Sequence, residues 1–98
     1  MVQLRLLTLV IYDITDDDLR LRVARFLRSK GLKRIQKSAF IGPLTSSERA
    51  NLVAGLRRIV RGYDKVNIQV FPLTEASYRR RVVIGVDTVH EDEESIIT

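Results

Sequence analysis

The chain has 98 residues, no cysteine and a formal net charge of +5, and 45% of its residues are hydrophobic. This length predicts one small domain, and the absence of cysteine excludes a disulfide framework and thiolate metal sites and indicates a reducing cytoplasm. No apolar run has the length of a membrane span and the first twelve residues lack the pattern of a signal peptide, so we expect a cytoplasmic protein that contacts no membrane.

Positive and negative charges are separated along the chain. Residues 1–86 contain all 17 lysines and arginines and seven of the 12 acids, a net charge of +10, whereas residues 87–98 contain the other five acids and neither lysine nor arginine. A basic body is typical of polyanion binders, and a well-solvated surface from a heat-loving source is the alternative. We predict one domain over residues 1–86 and a disordered acidic tail over residues 87–98, which either contacts a basic partner or the body, or stays solvated.

The first predicted element is a strand over residues 4–12, LRLLTLVIY, whose branched apolar side chains are typical of a central strand covered on both faces. Asp13 follows at the carboxyl end of this strand, where open α/β sheets usually place their sites. An aspartate that only accepts hydrogen bonds from turn amides is the alternative at this position.

The first helix follows that strand and is predicted to be amphipathic. It opens at Thr15 or Asp16, Thr15 and Asp18 have the spacing of a capping box, and Gly31 ends it. The consecutive acids at residues 16–18 suggest a metal site, but they also complement the positive end of the helix dipole, which already accounts for them. The outer face of the helix is basic, with Arg20, Arg25, Arg28 and, on its border, Arg22.

Residues 33–44, KRIQKSAFIGPL, form a second extended segment, as one bent strand or as two strands joined near Ser38. Alternation places Arg34, Gln36, Ser38 and Phe40 on one face, which combines a cation, an amide, a hydroxyl and an aromatic ring. Phe40 as a core residue and Arg34 as a protective edge charge are the alternatives.

The remaining elements complete an α+β fold. A capping box of Thr45 and Glu48 starts a second helix, residues 65–71 alternate as a half-buried strand that Pro72 ends, and residues 82–86 form a short apolar strand. This order predicts a ferredoxin-like βαββαβ sandwich with two helices on one face of the sheet. We expect the extra C-terminal strand to leave its own sheet and pair with the second protomer of a two-fold dimer.

The sequence lacks the residues that several kinds of catalytic and metal site need. The single histidine, His90, lies in the acidic tail, and there is no glycine-rich phosphate loop, nucleophile elbow or Cys/His metal set. One carboxylate per chain is a poor metal site, but two Asp13 side chains from a two-fold dimer are enough for Mg²⁺, which keeps several waters. Such an ion activates water at a phosphodiester, and a nuclease centre of this kind would lie on the dimer axis.

Three segments resemble the CRISPR-associated protein 2 family: residues 10–23 (VIYDITDDDLRLRV), 31–42 (GLKRIQKSAFIG) and 67–73 (NIQVFPL). The resemblance spans residues 4–86 and implies a ferredoxin-like homodimer bridged through its C-terminal strands. It also implies a Mg²⁺-dependent nuclease acting on RNA or duplex DNA, and a scaffold between the integrase subunits of CRISPR spacer acquisition. The family's metal-binding aspartate falls on Asp13, and its other site residues fall on Tyr12, Arg20, Arg22, Arg34, Ser38 and Phe40.

We therefore predict a nucleic-acid-binding dimer of CRISPR adaptation with an endonuclease centre at the paired Asp13 side chains and one shared Mg²⁺. Phosphates are expected to be contacted without base reading by Arg20, Arg22, Arg25, Arg28, Lys30, Arg34 and Lys37. The alternatives are a non-catalytic scaffold for duplex DNA, a stand-alone ribonuclease toxin of the same fold, and a small-molecule-binding regulator, which the basic body disfavours. The sequence leaves open the choice between RNA and DNA.

Overall fold

A computed structural model describes residues 5–87, which form a four-stranded antiparallel sheet, two long helices and one short helix. The elements in chain order are β1 (Leu6–Ile14), α1 (Asp17–Ser29), β2 (Lys33–Gln36), β3 (Ala39–Leu44), α2 (Ser46–Ile59), β4 (Val66–Leu73) and α3 (Glu75–Arg79). The strand order is β2-β3-β1-β4, and each neighbouring pair is antiparallel. This is the predicted ferredoxin-like arrangement. Within residues 5–87, none of the helices has the length and apolar character needed to cross a membrane.

β1 is the central strand, and its two faces have different environments. Alternate side chains, including Val10 and Tyr12, are buried in one apolar core with residues of α1 and α2. The other face is open in the single chain, where Ile11 is 41% exposed and Phe71 of the neighbouring β4 is 38% exposed. The prediction that both faces of this strand are covered is therefore wrong for one chain, because both long helices pack on the same side.

The helix caps are formed by side chains, as the sequence predicts, and of the two predicted starts of α1, Thr15 and Asp16, the second is the cap. The carboxylate of Asp16, not the hydroxyl of Thr15, accepts a hydrogen bond from the Leu19 amide at 2.8 Å and caps α1. At α2 the predicted capping box is present: the Glu48 carboxylate accepts from the Thr45 amide at 2.8 Å, and the Thr45 hydroxyl accepts from the Glu48 amide at 3.2 Å. These hydrogen bonds to the ionised form lower the pKa of Glu48 below its ordinary 4.5.

The two long helices contact each other closely at Gly55 of α2. A Cβ atom at Gly55 would overlap the ring of Phe26 on α1, with Cε1 only 2.9 Å away. A glycine also lies shortly after each long helix: Gly31 and Gly62 have φ of 89° and 90°, the left-handed conformation that lets a chain turn away from a helix without a Cβ penalty.

A buried polar pair holds α2 against β1. Thr8 is fully buried on β1, and its hydroxyl accepts a hydrogen bond from Arg49 Nε at 3.1 Å. A terminal nitrogen of the same guanidinium donates to the Leu44 carbonyl at 3.3 Å. A buried hydroxyl without a partner costs about 1–3 kcal/mol, so Arg49 makes the polar residue tolerable inside an apolar strand.

Residues 33–44 form the second of the two predicted arrangements, two strands joined by a turn at residues 37–38. The predicted alternation is interrupted, because the register shifts between Arg34 and Gln36. β4 does not end at Pro72 but continues to Leu73. An edge strand tolerates proline because the missing amide need not enter a ladder on its outer side.

The end of the described chain contains a helix that the sequence did not predict, α3, and lacks the predicted last strand. Residues 80–87 form no strand in the single chain, and Val82 and Ile84 are 84% and 94% exposed. Pairing of residues 82–86 with a second protomer stays a prediction, because it requires a second chain. Apart from Asp87, the predicted acidic tail lies outside the described residues.

Candidate active site and nucleic-acid surface

Asp13 lies near the carboxyl end of β1 on the open face of the sheet. Its side chain is exposed, and the residue opposite it on β4 is Asn67. Within residues 5–87, no group of three or more aspartate, glutamate, histidine or cysteine side chains is arranged to hold a metal ion. A metal at Asp13 therefore needs its other ligands from water or from a second chain. Mg²⁺ fits such a site, since it commonly uses one or two carboxylates and keeps several waters.

Two further elements meet β1 beside Asp13. The Tyr12 amide donates to the Ser38 carbonyl at 2.9 Å, so the β2–β3 turn is attached to the end of β1. From α1, the guanidinium of Arg20 donates to the Ile14 carbonyl at 3.3 Å and forms an ion pair with Asp17. The predicted site residues Ser38 and Arg20 therefore lie close to Asp13 along the backbone, although Arg20 also has a structural role.

Tyr12, Phe40, Arg28 and Arg34 form a compact group on the helix side of the sheet, which we call the Phe40 cluster. Tyr12 and Phe40 are 4% and 0% exposed, and their rings stack with centroids 6.3 Å apart and planes inclined by 23°. The guanidinium carbons of Arg34 and Arg28 lie 5.1 Å and 5.9 Å from the centroid of Phe40. These distances are within the range of cation–π interactions.

The predicted site residues are thus divided between two faces of the sheet. Tyr12 and Asp13 are consecutive on a strand, so their side chains point to opposite faces. The buried rings of Tyr12 and Phe40 do not lie beside the Asp13 carboxylate. In this structure the ring of Phe40 lies beside Arg28 and Arg34, and the ring of Tyr12 stacks on Phe40, so these rings support the two arginines.

Basic side chains cover α1 and the β2–β3 turn. Arg22 and Arg25 are exposed on α1, while Arg20 and Arg28 are half-buried by the contacts described above. The ammonium of Lys30 lies 5.3 Å from the ring centroid of Phe26, and Lys37 is exposed in the turn. The residues predicted to bind phosphate therefore differ in exposure, and those on α1 that are exposed are Arg22 and Arg25.

A basic segment at α3 was not included in the predicted site. Arg79 pairs with Glu75 at 2.6 Å, and the guanidinium carbon of Arg81 lies 3.8 Å from the ring centroid of Tyr78. In the sequence, this basic segment could have been recognised from the three consecutive arginines at residues 79–81. The helix that organises it is only five residues long, which is too short for apolar periodicity to reveal.

These features define a small ferredoxin-like protein with an exposed aspartate at the end of its central strand and a basic first helix. The family model of the CRISPR associated protein Cas2 matches residues 6–81, and the chain belongs to this family. The resemblance predicted from the sequence is confirmed.

Two relatives illustrate the family. The CRISPR-associated endoribonuclease Cas2 of Korarchaeum cryptofilum is 52% identical over 77 residues, which cover 79% of this chain and 82% of that protein. A CRISPR-associated endonuclease Cas1/endonuclease Cas2 fusion of Thermoproteus tenax is 46% identical over 68 residues, which cover 69% of this chain and 25% of the fusion.

Solved structures of similar proteins have the same fold. The crystal structure of Streptococcus pyogenes Cas2 superposes with a TM-score of 0.67 at 27% identity and covers 81% of this chain and 99% of that one. A hypothetical protein from Thermus thermophilus gives a TM-score of 0.72 at 28% identity, covering 87% of this chain and 96% of that one.

Proposed function

We propose that this chain is a dimeric, Mg²⁺-dependent nuclease and nucleic-acid-binding subunit of CRISPR spacer acquisition, whose reaction centre lies between two copies of Asp13. The observation that carries the proposal is the exposed carboxylate of Asp13 on an open, partly apolar sheet face, at the end of β1 that the basic helix α1 follows. The name endoribonuclease carried by the Korarchaeum relative supports a nuclease activity. The Thermoproteus fusion, in which a Cas1 endonuclease and a Cas2 endonuclease share one chain, supports an integrase partner.

The open face supports association of two copies. Ile11 and Phe71 expose large apolar side chains there, and residues 82–86 expose four more. An apolar surface of this kind on a soluble protein marks an interaction site. A two-fold contact through it brings the same residue of both copies together on the axis, so two Asp13 carboxylates can share one ion.

The protein's own residues then have separate tasks. When bound, Mg²⁺ supplies a Lewis acid that activates water and neutralises charge on a phosphodiester. Asp13 would hold that ion together with the Asp13 carboxylate of the second copy. Arg22 and Arg25 bind backbone phosphates, and Arg20 and Ser38 lie beside Asp13 to orient the strand end that carries it.

The deciding experiment compares wild type with Asp13→Ala and with Glu75→Ala, an exposed acid at the opposite end of β4. Each dimer is incubated with single-stranded RNA or duplex DNA, in Mg²⁺ or in chelator. We expect cleavage that needs Mg²⁺, is lost in Asp13→Ala and persists in Glu75→Ala. Cleavage that survives in Asp13→Ala would refute the placement of the centre.

A non-catalytic scaffold is the second candidate, because exposed Arg22 and Arg25 can bind a duplex without Asp13. Each phosphate contact contributes about 0.9 to the slope of log affinity against log salt for duplex DNA. Arg22→Gln with Arg25→Gln should therefore lower the slope by about 2 for each chain in contact. Arg79→Gln is the control, since it removes a cation already paired with Glu75. Unchanged slopes would remove α1 from the interface, and duplex binding by wild type and Asp13→Ala without cleavage by either would establish the scaffold.

A further inference from the structure

Asn67 of β4 shares the open face of the sheet with Asp13. The two residues are directly opposite each other in the antiparallel pair of β1 and β4, and both are exposed. Side chains at such facing positions have Cβ atoms about 4.5–5.5 Å apart. The amide of Asn67 therefore lies beside the Asp13 carboxylate, on the neighbouring strand.

Gln69 orients the side chain of Asn67. Both residues point to the open face, since they are two positions apart on β4, and Nε2 of Gln69 donates a hydrogen bond to Oδ1 of Asn67 at 3.2 Å. An amide oxygen has two lone pairs, so the second one remains available to a cation. A hydrogen bond from an outer residue is the usual way in which a metal ligand is held in position.

The open face has a polar end and an apolar part. Asp13, Asn67 and Gln69 form the polar end, and all three are exposed. Ile11 and Phe71 expose apolar side chains next to them. Asparagine is depleted in strands, so strand propensity does not explain Asn67. If a second copy covers this face, the amide loses water and needs new partners, because a buried polar group without a partner is destabilising.

An amide oxygen suits the ion proposed at Asp13. Mg²⁺ and Mn²⁺ prefer carboxylate, carbonyl and water oxygens, so a neutral side chain of the same chain is a further source of ligands besides water and the second copy. Because the amide is uncharged, it adds nothing to the repulsion between two facing Asp13 carboxylates before the ion binds, whereas Asn67→Asp would increase that repulsion.

We propose that Asn67 is a ligand of the divalent cation at Asp13, and that Gln69 is the positioning residue that orients its amide. The inference rests on the proposed function, from which it takes the ion and the second copy. Each copy supplies one carboxylate and one amide oxygen, and water or a substrate oxygen occupies the remaining coordination positions. The centre therefore depends on β4 as well as on β1.

Binding of Mn²⁺ in the absence of nucleic acid tests the ligand role separately from cleavage. Mn²⁺ takes the same oxygen ligands as Mg²⁺, and electron paramagnetic resonance of the free ion gives its affinity for the dimer. We expect Asn67→Ala to weaken binding by about tenfold or more, and Gln69→Leu, which removes the orienting hydrogen bond, to weaken it by about tenfold. Asn51→Ala is the matched control and should bind like wild type, because Asn51 is an exposed asparagine of α2, on the other side of the sheet.

Asp13→Ala distinguishes failure of this inference from failure of the proposed function. If Asp13→Ala loses Mn²⁺ binding while Asn67→Ala binds as tightly as wild type, the ion lies at Asp13 and Asn67 is not its ligand. Unchanged binding in Asp13→Ala would refute the metal site itself. Unchanged Mn²⁺ affinity in Asn67→Ala, together with weaker binding of single-stranded RNA, would assign the amide to the substrate and overturn its role as a ligand.

Asn67→Asp is a second variant, which keeps an oxygen at this position. It should bind Mn²⁺ about tenfold more tightly than wild type, because a carboxylate replaces an uncharged ligand, and weaker binding would contradict the ligand role. Size-exclusion chromatography in Mn²⁺ shows whether each variant is a dimer. Wild-type affinity in dimeric Gln69→Leu would refute the positioning role of Gln69.

Discussion

Replacement of Phe40 by leucine separates a catalytic role of this residue from a positioning role. Leucine keeps an apolar side chain in the fully buried site, at a packing cost of about 1 kcal/mol. It also removes the stacking with Tyr12, worth about 0.5–1.5 kcal/mol. The cation–π contacts with Arg28 and Arg34 are lost as well, at about 0.5–1 kcal/mol each because both arginines are partly exposed.

These contributions predict that Phe40→Leu lowers the free energy of unfolding by about 2.5–4.5 kcal/mol, which is less than the total of about 5–15 kcal/mol that a domain usually has. Urea unfolding measures the loss, and a double-mutant cycle with Arg34→Gln should give a coupling of about 0.5–1 kcal/mol. Phe26→Leu is the control, because that ring lies beneath Lys30 and outside the Phe40 cluster.

Binding provides a readout that stability alone does not change. If Arg28 and Arg34 contact phosphate, folded Phe40→Leu should show a salt slope reduced by about 1–2, whereas Tyr78→Leu, whose ring lies beside Arg81 outside the predicted phosphate-binding set, should keep the wild-type slope. Stability within 0.5 kcal/mol of wild type, or no coupling to Arg34, would refute the view that Phe40 supports these arginines.

Three further predictions concern the scaffold. Gly55→Ala should destabilise the protein by up to about 2 kcal/mol in thermal unfolding, since displacement of Phe26 costs about 1–3 kcal/mol and the gain in helix propensity is only about 1 kcal/mol. A raised midpoint would contradict this. Arg49→Met should lower the free energy of unfolding in urea by about 1–3 kcal/mol, and by less in a Thr8→Val background, where no buried hydroxyl is left without a partner. Equal losses in the two backgrounds would show that the hydrogen bond between Arg49 and Thr8 does not stabilise the fold. The lowered pKa of Glu48 contributes stability that is present above pH 4.5 and is lost as the pH falls through the pKa of the folded state. Glu48→Gln should therefore weaken the dependence of stability on pH in acid. An unaltered dependence would show that other groups cause it.

The sequence predicted the fold well where apolar periodicity and caps are strong. The capping box at Thr45 and the terminal glycine of α1 are local signals, and both are present in the structure. Pro72 misled the prediction because a proline ends a central strand but not an edge strand, and strand position is decided by tertiary pairing. The five residues of α3 are too few to show a helical period.

The candidate site was predicted in part, because the sequence gives residue types but not the faces on which they lie. Asp13 is exposed on the open face of the sheet, where the ion proposed between two copies would lie. Phe40 seemed to belong to the same chemical group, but it is fully buried on the helix side. The β-bulge between Arg34 and Gln36 could not be foreseen, because a single extra residue that reverses the alternation leaves no mark in composition or hydropathy.

The alternation along β1 also separates two kinds of selection pressure. Even-numbered residues such as Val10 and Tyr12 touch the helices of their own chain, while odd-numbered residues such as Ile11 and Asp13 face outward. Variation at even positions therefore tests whether a chain can fold at all. Variation at odd positions changes what that chain presents to other molecules at little cost to folding. A library built on this strand could diversify its assembly and chemistry by changing every second codon and leaving the intervening ones untouched.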